Sequence, residues 1–300
     1  MRQNAIRFVR PMLGALALLA VPALVQAQGG QDFSKVEIKT NKVSNNFYTL
    51  DGQGGTIGVL TGPDGVFQVD GQFAPLSEKI AAAIRQVSSG NTAKFLVNTH
   101  VHGDHTGGNE NFAKMGATIL ARPELRDRLA ATPNTPAMAL PKVTYDNQVV
   151  LHMNGETIEL IPIRRAHTDG DTLVHFVNND VLMTGDYYRS LGYPNIDRMN
   201  GGSLEGMLRG LAVTASLAGP NTKIIPGHGA TVDRNAVIAQ RDIMLAVRDR
   251  VSKLIQQGKS QDEVVAAKVT SDFDPKVPGG AGMTADRFVG QVYAELKAAK

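Results

Sequence analysis

Thr99-His100-Val101-His102-Gly103-Asp104-His105 gathers three imidazoles and a carboxylate into one short run of a chain that holds 7 histidines in 300 residues. On an extended segment side chains alternate faces, so His100, His102 and Asp104 are expected to project to one side, with Gly103 supplying the bend that brings His105 round. Imidazole and carboxylate suit zinc and equally iron, manganese or cobalt, so the run points to a metal site without choosing the metal. The plain alternative is a histidine-rich surface loop, and the density of ligands in so short a pattern weighs against it.

Working outward, the first half of the chain reads as strands. Val36 to Thr40, Asn46 to Leu50, Thr56 to Thr61 and Gly65 to Val69 are β-prone runs broken by turn residues such as Asp51-Gly52 and Pro63-Asp64-Gly65. Ile80, Ala83, Ile84 and Val87 then recur at helical spacing and predict a helix over Leu76 to Val87. Lys94 to Asn98 is a short apolar strand that delivers the chain into the histidine run, and strand ends are where such folds place chemistry. After it come a helix near Gly108 to Met115, a strand at Ala117 to Ala121, a helix at Pro123 to Ala131 and a proline-rich loop, Thr132 to Pro141, that is a candidate wall of the site. Strands are expected at Gln148 to Met153, Glu156 to Pro162, Thr172 to Val177, Val181 to Thr184 and Lys223 to Ile225. Helices are expected at Ser203 to Leu217, Asp233 to Gln257, Ser260 to Ala267 and Thr284 to Ala298. Strands with helices interspersed in both halves predict a layered α/β or α+β domain.

Three later positions stand at strand-loop junctions beside glycine, where a side chain can reach a shared centre: His167 in Ala166-His167-Thr168-Asp169-Gly170, Asp186 in Thr184-Gly185-Asp186, and His228 in Pro226-Gly227-His228-Gly229. Singly, each has an ordinary reading as a turn or cap residue. In order, the series His-x-His-x-Asp-His, His, Gly-Asp, Gly-His-Gly resembles the metallo-β-lactamase-fold superfamily, over about Thr56 to Ala230.

That resemblance implies an α+β fold, a four-layer αββα sandwich, with a binuclear centre at one edge of the packed sheets. It places His100, His102 and His167 on a first metal and Asp104, His105 and His228 on a second, with Asp186 bridging. Zinc is commonest in the family, and iron and manganese members exist. Two divalent ions sharing a water lower its pKa from about 15.7 towards about 7, and one of them polarises the substrate's oxygen. Asp104 is the candidate to hold the nucleophile or pass a proton to the leaving group. Asp70, after the strand Gly65 to Val69, stands where the family has an aspartate that supports a metal-bound histidine. Asp169 and Asp171 are weaker candidates for the same role. His152 and His175 match no family position and are assigned to structure, while Tyr187 and Tyr188 either reach the pocket or pack in the core.

Residues 1 to 27 carry Arg2, Arg7 and Arg10 ahead of an apolar stretch from Met12 to Val25, with small residues near Ala27, the pattern of a cleavable secretory signal. The stretch is shorter than the ~20 residues that span a bilayer and Pro22 interrupts it, which disfavours a membrane anchor. The expectation is a periplasmic or secreted protein with one hydrolase domain over 28–300. The whole chain has 31 Lys+Arg and 28 Asp+Glu; removing the three signal arginines leaves 28 of each. A neutral mature domain gives no electrostatic case for nucleic acid. With Cys 0, disulfides and thiolate ligands are excluded.

The branch is set by Asp186. One β-lactamase subclass has cysteine there and another lacks the bridging aspartate, so the set resembles the glyoxalase II, lactonase and phosphodiesterase branches. The expectation is a metal-dependent hydrolase of a small ester, lactone, thioester or amide. Alternatives are a metallo-β-lactamase and an iron-dependent oxidoreductase of the persulfide dioxygenase type. No substrate beyond a small molecule, and no oligomeric state, follows from the sequence.

Overall fold

A computed structural model describes residues 32–279 and 282–298; the segment 1–27, expected from the sequence to be a secretory signal, lies outside the described residues. The first sheet contains β1 (Lys39–Lys42), β2 (Phe47–Asp51), β3 (Ile57–Leu60), β4 (Val66–Val69), β5 (Ala93–Val97), β6 (Thr118–Ala121) and β7 (Val143–Thr144), neighbours in sequence order. Its first four strands are antiparallel, and β4 to β7 run parallel. The helix α1 (Ser77–Val87) links β4 to β5. Two short helices, α2 (Gly103–Thr106) and α3 (Asn109–Lys114), link β5 to β6, and α4 (Pro123–Ala131) follows β6.

The second sheet comprises β8 (Val149–Met153), β9 (Glu156–Arg164), β10 (Gly170–Phe176), β11 (Val181–Gly185) and β12 (Lys223–Pro226), in the order β12-β11-β10-β9-β8. Only β11 and β12 are parallel, and α5 (Leu204–Leu217) lies between them in sequence. The chain ends in α6 (Arg234–Gln256), α7 (Gln261–Ala266) and α8 (Gly282–Ala298).

Strand alternation builds the layers. Phe67 and Val69 of β4, Leu120 of β6, Val174 and Phe176 of β10 and Met183 of β11 meet in one core between the sheets. The opposite faces carry Val66, Leu96 and Ile119, packed on Ile80 and Ile84 of α1 and Phe112 of α3. On the far side Leu173, Leu182 and Ile224 pack on Leu211 of α5, Met244 and Val251 of α6 and Phe288 of α8. The architecture is therefore helix, sheet, sheet, helix: the four-layer αββα sandwich of the metallo-β-lactamase fold.

Helix starts follow local chemistry. Ser203, Asp233 and Ser260 each accept a backbone N–H of the first turn of α5, α6 and α7, and Ser260 with Glu263 forms a reciprocal capping box. Most boundaries match the sequence expectation within a residue or two. The first strand begins at Lys39, because Phe33–Lys35 forms a 3-10 turn. The two-residue β7 is too short to carry a sequence pattern, and the expected loop 132–141 contains only a 3-10 turn at Ala137–Ala139. Among the described residues no helix is long and apolar enough to cross a membrane.

Phe176 sits at the centre of the inter-sheet core, fully buried, with its ring centroid 4.5 Å from Phe47 and 6.0 Å from Phe67. Phe176→Ala is expected to cost about 3–5 kcal/mol in denaturant unfolding. A loss below about 1 kcal/mol would show that the two sheets do not pack through it.

Candidate metal centre

The topology places the ends of β4, β5, β11 and β12, together with the β9–β10 turn, at one edge of the sandwich. Asp70 follows β4, the histidine run follows β5, Asp186 follows β11, His228 follows β12, and His167 lies in the turn. Backbone hydrogen bonds stitch these segments together across the two sheets: Thr172 N to Thr99 O at 2.8 Å, Thr56 N to Gly227 O at 2.8 Å, and Gly55 N to Asp104 O at 3.1 Å.

The histidine run is not the extended segment that its alternation suggested. The chain bends over Thr99 to Val101, and α2 begins at Gly103, with His102 O accepting the N–H groups of His105 and Thr106 at 3.0 and 2.9 Å. Asp104 and His105 therefore leave a helical turn, and it is this turn that aims three imidazoles and a carboxylate at one space. Asn98 and Asn109 exchange two side-chain hydrogen bonds, at 3.0 and 2.8 Å, and tie the start of α3 to the end of β5 beneath the run. The sequence reading missed this pair.

Three overlapping groups result: His100, His102 and His167; His100, His105 and Asp186; Asp104, His105 and His228. Within each, the ligand atoms lie within 4.8 Å of one another. His167 Nε2 is 3.0 Å from His102 Nδ1, and His228 Nε2 is 3.0 Å from Asp104 Oδ2. Asp186 lies between the sets, with Oδ1 3.4 Å from His105 Nε2 and Oδ2 3.4 Å from His228 Nε2.

The far nitrogen of each of the first four histidines has a partner that fixes its tautomer. His105 Nδ1 donates to Asp70 Oδ2 at 2.7 Å, His167 Nδ1 to Asn195 O at 2.7 Å, and His102 Nε2 to Asp197 Oδ2 at 2.7 Å. Thr99 Oγ1 donates to Asp70 at 2.7 Å and accepts from His100 Nδ1 at 3.1 Å. Each remaining nitrogen thus turns a lone pair inward.

The interior has no internal answer to those lone pairs. His100 Nε2, His105 Nε2 and Asp186 Oδ1 are buried without a hydrogen-bond partner among the described residues, a state that costs free energy unless something else satisfies them. A divalent cation fits this donor set. Burial, reinforced by neighbouring His105 and His167, lowers the pKa of His100 well below the usual value, and burial lowers that of His167 to about 4. Both are therefore held in the neutral form that donates to a metal. Burial opposes charge on Asp186 as well, but the imidazoles around it prevail and hold its carboxyl well below the ordinary range. Two glycines make room: a Cβ on Gly227 would stand 2.0 Å from Asp186 Oδ1, and one on Gly55 2.2 Å from His105 Cε1.

Asp197 and Asn195 escaped the sequence reading. They lie in the irregular loop between β11 and α5, and their signal was only its Asn and Asp content close behind Asp186. The loop is fastened by α8: Gln291 Oε1 accepts Ile196 N at 2.9 Å, and Gln291 Nε2 donates to Asn195 Oδ1 at 2.8 Å. Asp171 instead accepts Thr168 N and Oγ1 at 2.9 and 2.8 Å, Asp169 pairs with Arg128, and Tyr187 is buried against Thr214. Tyr188 lies in the core behind the loop. His175 pairs with Glu159, and His152 bonds Thr157, both across neighbouring strands.

Residues 55–241 match the metallo-beta-lactamase superfamily, and the chain belongs to it. It is similar to the hydroxyacylglutathione hydrolase of Nitrosococcus oceani, 28% identical over 167 residues, covering 50% of this chain and 57% of that one. The enzyme of the same description from Pelagibacter ubique is 29% identical over 139 residues, covering 46% and 52%. The chain thus spans about half the length of the curated relatives it matches. Among solved structures, a metallo-beta-lactamase from Pontibacter korlensis superposes with a TM-score of 0.59 at 17% identity, over 70% of this chain and 99% of that one. A stereoselective inverting sec-alkylsulfatase from a Pseudomonas species gives 0.68 at 14% identity, over 85% and 50%. These superpositions share the fold.

Removing the partner of His102 is expected to loosen metal binding without unfolding the chain. Asp197→Ala should weaken a bound divalent ion about 10- to 100-fold in competition with a chelating dye, and Gln291→Ala should act in the same direction more weakly. The Tm of metal-stripped Asp197→Ala should stay within about 4 °C of the parent. Parent-like affinity in Asp197→Ala would show that the carboxylate does not act through His102.

Proposed function

We propose that the protein is an exported, binuclear, divalent-metal-dependent hydrolase of a small ester, lactone, thioester or amide. The observation that carries this reading is the place of Asp186, whose two carboxylate oxygens face His105 and His228 separately at 3.4 Å while His100 shares its cluster. A carboxylate so placed would have an oxygen available to each half of the ligand set if two ions were bound. His100, His102 and His167 would then hold one ion, and Asp104, His105 and His228 the other. Zinc, or alternatively iron or manganese, would supply there a Lewis acid for the substrate's carbonyl oxygen and a water acidified towards neutrality.

The chain's own residues do the rest. Asp70, Thr99, Asn195 and Asp197 fix the rings, so no reorientation is needed when substrate arrives. Asp104 lies at the rim, its side chain 25% exposed. Burial opposes its charge, but the hydrogen bond from His228 and the charge of His105 keep it below the usual carboxylate range. Its Oδ2 faces His228, while Oδ1 has no hydrogen bond among the described residues and is free to orient a water or carry a proton to the leaving group.

Hydrolysis is favoured over oxygen chemistry because both curated relatives are named as hydrolases. Asp186, standing where one β-lactamase subclass has cysteine, favours esters and thioesters over β-lactams. Export rests on the N-terminal pattern Arg2, Arg7, Arg10 and the apolar run from Met12 to Val25.

Natively expressed protein assayed on esters, lactones, thioesters and β-lactams should turn over a member of the first three classes. His102→Ala and His228→Ala should abolish that turnover with the circular dichroism unchanged, and full activity in His102→Ala would overturn the assignment. Asp104→Asn should lower kcat about 100-fold or more with metal content retained, and an unaltered kcat would remove Asp104 from the proton path. N-terminal sequencing of the periplasmic fraction should begin just after Ala27, and a chain retaining Met1 there would contradict export.

A further inference from the structure

A cavity of about 170 Å³ lies between the loop that follows Asp186, helix α6 and the turn 276–278, and it includes none of the metal-centre residues. Its walls are largely apolar, with Tyr193, Val232, Ile243 and Met244 among them. An apolar space of ~150 Å³ accommodates a benzene ring, which sets the size of the body it can take.

Two donors on the wall lack an acceptor. Arg189 Nε and Gln240 Nε2 are buried with no hydrogen-bond partner, and among the described residues Arg189 makes no ion pair. Tyr188, 3% exposed, has a hydroxyl with no hydrogen bond to a described residue, while Lys276 lies exposed at the rim with its charge acting on Asp272. No carboxylate lines the space. Of the nearby acids, Asp233 caps α6 with its charge still felt at Tyr188, and Asp274 accepts the Tyr193 hydroxyl at 2.7 Å. Arg287 of α8 stands close enough that burial and the charge of Arg189 depress its pKa, and its hydrogen bond to Tyr193 O is long, at 3.5 Å. Two buried donor atoms, one of them on an arginine with no ion pair among the described residues, favour an anionic acceptor.

We propose that this cavity binds a small apolar monocarboxylate, its benzene-sized body against Ile243 and Met244 and its carboxylate on Arg189, Gln240 and Tyr188. The site is separate from the metal ions and does not depend on the hydrolase reading. It adjoins them structurally, because Ser190 in its wall donates N–H to His228 O at 3.2 Å and Oγ–H to Ala230 O at 2.7 Å. A filled cavity would therefore steady the segment that carries His228.

Isothermal titration of the purified protein with benzoate, benzyl alcohol and benzylamine tests this, run on both metal-loaded and metal-stripped protein. Benzoate is expected to bind at least about 10-fold more tightly than benzyl alcohol, with benzylamine silent, and with the same affinity after metal removal. Arg189→Met should weaken benzoate about 10-fold or more, Arg189→Lys should restore part of it, and Ala236→Phe, which fills the space, should abolish it. Thermal unfolding of each variant reports whether it is folded, and Arg189→Lys serves as the informative variant if Arg189→Met is not. The proposal is overturned by absence of benzoate binding at about 20 mM, by equal affinity for the alcohol, by parent-like binding in Arg189→Met, or by loss of binding on metal removal, which would place the benzoate at the metal centre.

Discussion

Asp70 lies at the end of β4 with 1% of its surface exposed and a left-handed backbone, φ 62°, that few residues with a side chain adopt. Its Oδ1 accepts Thr99 N at 2.7 Å, and its Oδ2 accepts both Thr99 Oγ1 and His105 Nδ1 at 2.7 Å. One buried carboxylate thereby fixes where the chain leaves β5, which tautomer His105 takes and, through Thr99, which nitrogen of His100 faces inward. A backbone conformation of this kind costs of order 1–3 kcal/mol. The three charge-assisted hydrogen bonds offset that cost by holding together two strand ends that would otherwise carry unpaired buried groups.

From that anchor the centre spreads across both sheets. Parallel pairing of β4 with β5 and of β11 with β12 brings their following loops to the same edge, so Asp70, the histidine run, Asp186 and His228 converge without a long connection. The remaining wall comes from farther along the chain. Gln291 on α8 holds the loop bearing Asn195 and Asp197, and those two hold His167 and His102. The C-terminal helix is thus coupled to ring orientation at the opposite side of the site through a continuous series of hydrogen bonds. The electrostatic result is a compact set of inward nitrogens around a buried carboxylate, each costly when left unpaired, a donor set that a divalent cation fits.

Much of this was legible in the sequence, because strands and amphipathic helices announce themselves through periodicity. The strands were recoverable from runs such as Gly65 to Val69 and Val181 to Thr184, and the ligand order from His100 to His228 carried the fold family and, with it, the two packed sheets. Asp70 could be singled out because it ends a strand where the resembled family has an aspartate that supports a metal-bound histidine. What stayed hidden depended on three-dimensional return of the chain. Alternation along Thr99 to His105 suggested an extended segment, whereas the hydrogen bonds to His102 O wind Gly103–Thr106 into a helical turn. Asp197, Asn195 and Gln291 belong to an irregular loop and a distant helix, where no period or motif links them to His102 and His167. Arg189 likewise reads as an ordinary basic residue until the fold leaves its Nε buried with no hydrogen-bond partner.

The account rests on two ions sharing Asp186. Elemental analysis of the natively expressed protein, purified without added metal or chelator, tests it most directly. It should give about two divalent ions per chain, falling to about one or fewer in Asp186→Ala. A single tightly held ion in the parent, with the same content in Asp186→Ala, would contradict it.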